Sequence, residues 1–359
     1  MARFFLKTHD VVFTDRPRTA AGKHTTYNYT DILWSPYGAY WRQARKMCVT
    51  ELFSERRLAS YEHIRDEEVR ALLRDLHAAS SSGGGRAVVL LRDHLSIATL
   101  GVISRMVLGK KYVGEGAAAT GEGTSPAATP EEFKLMMDEL FLLSGVLNVG
   151  DFIPWLDWLD LQGYIRRMKD VGKKLDRFLE HVLDEHDERR RLQGDRFAAK
   201  DMVDVLLQLV DDPNLEVQLR RDNVKALTQD ASVGGYDIPA GTRVLVNVWT
   251  IGRDPALWDS PEEFAQERFV GSKIDVKGQD FELLPFGSGR RMCPGHSLGL
   301  KVIQLSLANL LHGFSWRLPD GVSAGELSMD EVFGLSTPRK IPLKAVVEPK
   351  RPAHLYTGP

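Results

Sequence analysis

Residues 286–295 read Phe286-Gly-Ser-Gly-Arg-Arg-Met-Cys293-Pro-Gly295. A single cysteine sits between two arginines, Arg290 and Arg291, and a Pro-Gly pair that opens an apolar helical run from Leu298 to Phe314. Positive side chains and the partial positive charge of a helix N-terminus both favour the thiolate form of a cysteine. Pro294 suits the first helical position, where its missing N–H would be unsatisfied anyway. Gly287, Gly289 and Gly295 let the backbone turn tightly and approach a flat partner closely. Read as residues alone, the stretch is either a thiolate ligand loop or a structural cysteine buried in a Gly-rich turn. No second cysteine lies nearby, which excludes a zinc ribbon or a C-x-x-C redox site.

The bulk properties set limits. A chain of 359 residues allows about two units on a prior of ~150 residues per domain. Its 43% hydrophobic and 27% charged residues are those of an ordinary globular chain. A net charge of −2 gives no general reason to expect nucleic acid as a partner. Cys48 and Cys293 are too far apart in sequence for a disulfide framework, and Cys48 reads as a core residue. The first ten residues hold no apolar run of signal-peptide or spanning length, and no later segment reaches ~18 uninterrupted apolar residues. The expectation is a chain that is soluble or peripheral to a membrane.

The pattern along the chain is mainly α with a small β region. Residues 1–112 form an N-terminal helical part, with a charged amphipathic helix from Glu55 to Ala79, a break at Ser80-Ser-Ser-Gly-Gly-Gly and a helix from Leu90 to Leu108. Residues 113–130 are poor in apolar side chains and predict a mobile surface loop. In 131–230, Pro130-Glu-Glu starts a helix into Phe133–Leu147. Gly163–Arg191 forms a long helix with Ile165, Met168, Val171, Leu175, Phe178 and Leu179 on one face. Asp201–Val210 and Arg221–Thr228 add two more. In 231–359 the Gly234-Gly235 and Pro239-Ala-Gly241 turns beside Arg243-Val-Leu-Val predict a small antiparallel sheet, and a strand pair is expected around Ile341–Val347. The aromatic segment Phe152-Ile-Pro-Trp155-Leu-Asp-Trp158 suits either a membrane interface or packing on neighbouring helices.

The register Phe286, Gly289, Arg291, Cys293, Gly295 resembles the haem-thiolate loop of the cytochrome P-450 monooxygenases. Trp41-Arg-Gln-Ala-Arg45, two side chains on one helical face, resembles the family's W-x-x-x-R helix. Trp258-Asp-Ser-Pro-Glu-Glu-Phe-Ala-Gln-Glu-Arg268-Phe269 looks like its P-E-R-F segment, with Gln266 in place of the proline. Trp34-Ser-Pro-Tyr-Gly-Ala-Tyr-Trp-Arg and the segment after Asn148 look like plant A-type members. The resemblance implies haem with Cys293 as axial ligand to the iron, and Trp41, Arg45 and Arg291 as propionate contacts. It implies Phe286 as the shield of the thiolate, and Gly289 and Gly295 as parts of the haem loop. It also implies O2- and NADPH-dependent hydroxylation of a small lipophilic plant metabolite, NADPH-cytochrome reductase as partner, and the cytosolic face of the endoplasmic reticulum membrane.

Against that pattern the fold is an incomplete cytochrome P-450. The N-terminal anchor and proline-rich hinge are not found. Lys225-Ala-Leu-Thr-Gln-Asp230 looks like the start of the family's oxygen-activating helix, yet Ala231-Ser-Val-Gly-Gly-Tyr-Asp-Ile-Pro belongs to a strand far downstream. The A/G-G-x-D/E-T segment and the E-x-x-R helix are missing. Glu62/Arg65, Glu67/Arg70 and Glu188/Arg191 match E-x-x-R only by chance, in charged helices before residue 230. Arg268 therefore lacks its family partner. Two readings follow: a monooxygenase that is impaired or inactive in this truncated chain, or a non-catalytic fragment that at most binds haem or a partner protein.

Overall fold

In the computed structural model, which describes residues 1–82, 87–114, 128–194, 197–213, 215–218, 222 and 245–357, helix ends follow from local chemistry. Thr129 Oγ1 accepts from the Glu132 N–H (3.2 Å) and the Glu132 carboxylate accepts from the Thr129 N–H (2.8 Å), a reciprocal cap that starts a helix over Pro130–Gly145. Asp201 caps Met202–Val210 by accepting from the Asp204 N–H at 2.9 Å. Gly109 takes the left-handed conformation that ends Leu91–Leu108. We label the longer helices α1 (Ala39–Met47), α2 (Glu55–Ser60), α3 (Glu62–Ser82), α4 (Leu91–Leu108), α5 (Pro130–Gly145), α6 (Tyr164–Gln193), α7 (Met202–Val210) and α8 (His296–Gly313). The strands are β1 (Val88–Leu90), β2 (Phe314–Arg317) and β3 (Lys344–Pro349).

The chain divides into two compact units, one of Met1–Thr50 with Asp212–Ser297 and one of Glu51–Asp211 with Leu298–Pro359. In the second, β3 lies between β1 and β2, antiparallel to both, with Val88 opposite Val346 and Trp316 opposite Val347. Leu72 and Leu76 of α3, Leu310 of α8, Phe314, Val347 and Tyr356 close a core over this sheet. Phe314 is fully buried, and a buried side chain of that size contributes about 1.5–3 kcal/mol. The apolar face of α6 is buried from Ile165 to Leu179 as its period predicts, and Phe178 stacks within 5.0–5.1 Å of Tyr112 and Phe133.

Several expectations change. The helix expected over Glu55–Ala79 breaks at Tyr61, and Ser54 caps the first piece. The second piece continues through the serines, because Ser81 and Ser82 hydroxyls donate back to the His77 and Ala79 carbonyls at 2.9 Å. Asn247 caps a short helix over Val248–Ile251, where a strand was expected to end. Residues 245–247 of that expected sheet are not strand, and its residues up to 244, the 221–228 helix (Asp222 excepted) and most of the 113–130 loop lie outside the described residues. The Phe152–Trp158 segment does not pack inward, as Trp155 and Trp158 are 73% and 79% exposed. Phe333–Pro338 sits in a turn closed by an antiparallel Glu331–Arg339 bridge.

One buried ion network ties α6 to α7. His186 Nδ1 faces the Val182 carbonyl at 2.7 Å and Nε2 faces Asp201 Oδ2 at 3.1 Å. Both partners accept only, so both ring nitrogens donate and the ring is the imidazolium. Arg189 donates to Asp201 (3.0 Å) and to Asp204 (2.6 Å), so two cations already balance the two carboxylates and leave a metal ion no role. Burial pulls the His186 pKa down, but the hydrogen bond and charge of Asp201 outweigh it and leave the pKa above the ordinary histidine value.

Because the folded-state pKa is raised, this stabilisation is complete below the unfolded histidine value and is lost as pH rises through the folded one. Substituting His186→Ala is expected to cost about 1–3 kcal/mol in urea unfolding at pH 6, with a smaller difference from wild type at pH 9. An equal difference at both pH values would show that His186 is neutral in the folded chain.

Candidate functional site

The residues around Cys293 all belong to the first unit. The loop closes on itself: the Cys293 N–H donates to the Phe286 carbonyl at 2.9 Å and the Met292 N–H to the Gly289 carbonyl at 3.1 Å. Gly287 and Gly289 both have φ of 70°, a region costly for other residues. At Gly289 there is a second reason for glycine, since a Cβ would collide with the Leu6 carbonyl oxygen. Ser288 donates to the Gly278 carbonyl at 2.5 Å. The result leaves Cys293 half-exposed, whereas Cys48 is buried as expected. Helix α8 begins at His296, so Pro294 precedes it by two residues and does not occupy the first helical turn. His296 instead sets its Nδ1 3.2 Å from the Cys293 carbonyl, and the Phe286 and His296 rings lie 6.2 Å apart.

The two arginines before Cys293 diverge. Arg290 turns outward to Asp10, Nε to Oδ2 at 3.1 Å. Arg291 is buried and donates to three carbonyls, those of Thr14 (2.8 Å), Ile32 (3.4 Å) and Ser35 (2.8 Å). Its guanidinium lies over the Trp41 ring, 4.1 Å from the centroid. Trp41 is itself buried and donates its indole N–H to the Ile32 carbonyl at 3.1 Å. Thus Trp41 and Arg291 do meet, but the indole N–H and three of the five guanidinium N–H groups hold the 14–35 loop. Arg45, half-buried one turn along α1, adds a positive charge that, after burial, helps lower the Arg291 pKa; Asp15 and Asp31 oppose this and the value stands at about 10.

Arg16 is the residue that sequence reading passed over. It is 7% exposed, donates Nε to the Leu33 carbonyl at 3.1 Å, and leaves Nη1 and Nη2 buried without partners. Burial and the charge of Arg291 bring its pKa down to about 9, against the pull of Asp31 and Asp15. Asp31 is fully buried, with one oxygen accepting from the Trp34 N–H at 2.7 Å and the other unpartnered. Burial raises its pKa to about 7. Two buried guanidiniums, Arg16 and Arg291, thus meet one buried carboxyl, Asp31, and the exposed Asp15. Asp15-Arg-Pro-Arg carries no signal of this, because a loop arginine ordinarily reads as solvated.

Arg268 does find partners, although none is a side chain. It donates to the carbonyls of Ala265 (3.1 Å), Asp259 (2.6 Å), Ser260 (3.1 Å) and Glu263 (2.8 Å), and so knits its own loop. The chance E-x-x-R matches are also accounted for. Glu67 pairs with Arg105, Arg65 donates to the Leu58 carbonyl, and Glu188 with Arg191 is an exposed (i, i+3) pair.

The cytochrome P450 family model matches residues 1–230 and again 223–343, so its two halves meet where the sequence shows its break. Trimethyltridecatetraene synthase of Zea mays is 42% identical, covering 99% of this chain and 80% of its own length. That alignment of 456 positions against 359 residues leaves at least 97 positions of the relative facing no residue here. Flavonoid 3'-monooxygenase of Petunia hybrida is 33% identical over 100% of this chain and 84% of its own length. A zebrafish cytochrome P450 structure with progesterone superposes with a TM-score of 0.72 at 19% identity, covering 97% of this chain and 92% of that one. With family model, plant relatives and fold in agreement, the chain belongs to the cytochrome P450 family of monooxygenases, whose cofactor is haem held by a cysteine thiolate.

Proposed function

We propose that this chain holds haem through Cys293 and, as a 359-residue polypeptide, does not complete a monooxygenation cycle. The observation that carries the second half is the break: two family-model matches meeting at 223–230, with at least 97 positions of a 42%-identical relative unrepresented. Downstream of residue 230 the sequence offers neither the A/G-G-x-D/E-T stretch nor an E-x-x-R helix. Proton delivery needs an acid or hydroxyl within hydrogen-bond reach of the reacting atom, directly or through one water. No such group is nominated by the residues that remain.

The residues present fit one face and one edge of haem. Cys293, half-buried in a loop pinned by its N–H bond to the Phe286 carbonyl, would hold the haem iron as a thiolate ligand. Gly289, which the Leu6 backbone requires to be glycine, and Gly295 are the haem-loop glycines of this reading. Haem bound there supplies activation of O2, and the thiolate pushes electron density toward the iron. At the edge, a propionate answers the charge deficit of the 14–35 loop. Arg16 offers Nη1 and Nη2, Arg291 its two remaining N–H groups, Arg45 its charge, and Trp41 the surface on which Arg291 rests. Charge-assisted bonds of this kind are about twice as strong as neutral ones.

For a complete relative of this kind the activity is hydroxylation of a small lipophilic plant metabolite at the endoplasmic reticulum. Electrons come from NADPH through NADPH-cytochrome reductase. Exposed Trp155 and Trp158 suit contact with the membrane interface. No helix among the described residues is long and apolar enough to cross a membrane.

Two measurements test the proposal. The purified chain, loaded with haem, reduced and exposed to CO, is expected to show the strongly red-shifted Soret band of thiolate ligation, and Cys293→Ser is expected to lose it. With the reductase and NADPH no oxygenated product is expected; product formation would sink the inactive reading, and an unshifted band would sink the haem reading.

Arg16→Gln separates binding from folding. Removing a buried, incompletely compensated charge is expected to raise the stability of the haem-free chain by about 1–3 kcal/mol. The same change is expected to speed haem transfer to apomyoglobin roughly tenfold, a loss of about 1.4 kcal/mol. Loss of stability with unchanged haem retention would place Arg16 in the scaffold alone.

A further inference from the structure

Arg16 and Asp31 stand at opposite ends of one peptide unit. Arg16 Nε donates to the Leu33 carbonyl at 3.1 Å, and Asp31 Oδ1 accepts from the Trp34 N–H at 2.7 Å. The C=O and N–H of a trans peptide point in opposite directions, so the unit that holds both side chains also holds them apart. Asp31 Oδ2 and both Arg16 Nη atoms are each buried without a hydrogen-bond partner. Their charges act on each other all the same. Burial lowers the pKa of Arg16 and of Arg291, and the charge of Asp31 is among the influences that oppose it in both. The other charged or titratable groups acting on the two guanidiniums are the exposed Asp15, Arg45 of α1 and the Tyr37 phenol.

We propose that Asp31 is the internal counter-charge of this pair of guanidiniums, ionised while no anion lies on them and protonated when a haem propionate does, so that haem binding draws a proton from solvent onto Asp31. The inference rests on the haem reading of Cys293 and assigns Asp31 a part that this reading leaves open. The step is an acid–base one: the propionate stays ionised, the proton comes from water or buffer, and it ends on a carboxylate oxygen of Asp31. Two carboxylates that share one set of cations repel each other, and the pKa of one of them rises. Asp31 is placed to be that one, because burial pushes its pKa up to about 7 against the Trp34 N–H bond, whereas Asp15 is exposed. Since the bound anion raises the Asp31 pKa further, haem is held most tightly below the haem-free value. Retention then falls as pH rises from that value to the haem-bound one. Ionisation of the Cys293 thiol works in the opposite direction, because a ligand sulfur must first lose its proton.

Titration of the haem-free chain with haem, followed by calorimetry in buffers of different ionisation enthalpy at about pH 7.5, counts the protons exchanged. Wild type is expected to take up more than Asp31→Asn, by a difference approaching about one proton per haem. Asparagine keeps an Oδ1 acceptor for the Trp34 N–H, so the turn retains its hydrogen bond. Haem dimethyl ester, whose propionates carry no charge, gives a comparison that needs no variant: with it the wild type is expected to lose the extra proton. Haem transfer to apomyoglobin is expected to quicken several-fold in wild type relative to Asp31→Asn between about pH 6 and about pH 9, since Cys293 and the other titrating groups act alike in both. The CO band of the loaded chain keeps the two readings distinguishable. An unshifted band overturns both. A red-shifted band overturns the Asp31 inference alone if wild type and Asp31→Asn exchange equal protons, if haem and its ester do, or if the ratio of transfer rates stays constant with pH.

Discussion

The Arg291 guanidinium is the constraint on which the site depends. Two residues from Cys293, it reaches back across more than 250 positions of sequence to the carbonyls of Thr14, Ile32 and Ser35 and lies on the Trp41 ring. A lysine could not replace it, because an ammonium is a point charge without the planar fork that serves three acceptors and stacks on an indole. Ile32 keeps the Trp41 indole N–H, but leaving the Thr14 and Ser35 carbonyls unanswered in a buried setting costs about 1–3 kcal/mol each, a large share of a total stability of ~5–15 kcal/mol. The Cys293 loop is therefore held by the loop it faces as much as by its own glycines.

The same interaction creates an imbalance. Arg291 brings a charge next to Arg16, and the nearest buried carboxyl, Asp31, is itself pushed toward neutrality by burial. Burying charge without full compensation lowers stability, and natural chains tolerate it where a ligand completes the pairing. The His186 network makes the contrast within one molecule. There two cations meet two carboxylates and every ring nitrogen has an acceptor, with Arg189 Nε the one buried donor of that pair of cations left unpartnered. The difference is one of charge: each cation of the His186 network faces a buried carboxylate, whereas Arg16 donates to a carbonyl and leaves both Nη atoms unpartnered.

What the sequence made legible follows from the range of the interactions. The ends of α4, α5 and α7 depend on residues within four positions of each other, Gly109, Thr129 with Glu132, and Asp201 with Asp204, and they were readable. The Cys293 loop was readable because five positions in fixed register name a chemistry. Tyr61 breaking a helix, the serines extending it, and Pro294 standing outside α8 were not, because packing or a single side-chain bond overrode local preference. Strand β3 pairs with partners more than 250 and about 30 residues away, so the sheet could not be placed from local pattern. Arg16 stayed hidden for a different reason: its role lies in burial, and burial of a loop arginine leaves no trace in the letters around it.

Burial of α8 is the converse case, where the letters ask for more than the structure supplies. Its apolar face is wide, yet the core takes Leu298 and Leu310 and leaves Ile303, Leu307 and Leu311 exposed, and a cleft beside α4 and α5 is open in the same unit. Either the sequence is poorly matched to its fold, or it was shaped in a chain with more to pack. The split family-model match and the at least 97 positions of a relative that face no residue here accord with the second. The loss falls unevenly. Residues that hold the thiolate side are bound by short-range turns and by Arg291 within one unit and need nothing from the omitted segment. Residues that should be covered are aliphatic, and exposed aliphatic stripes of this size commonly mark a contact surface.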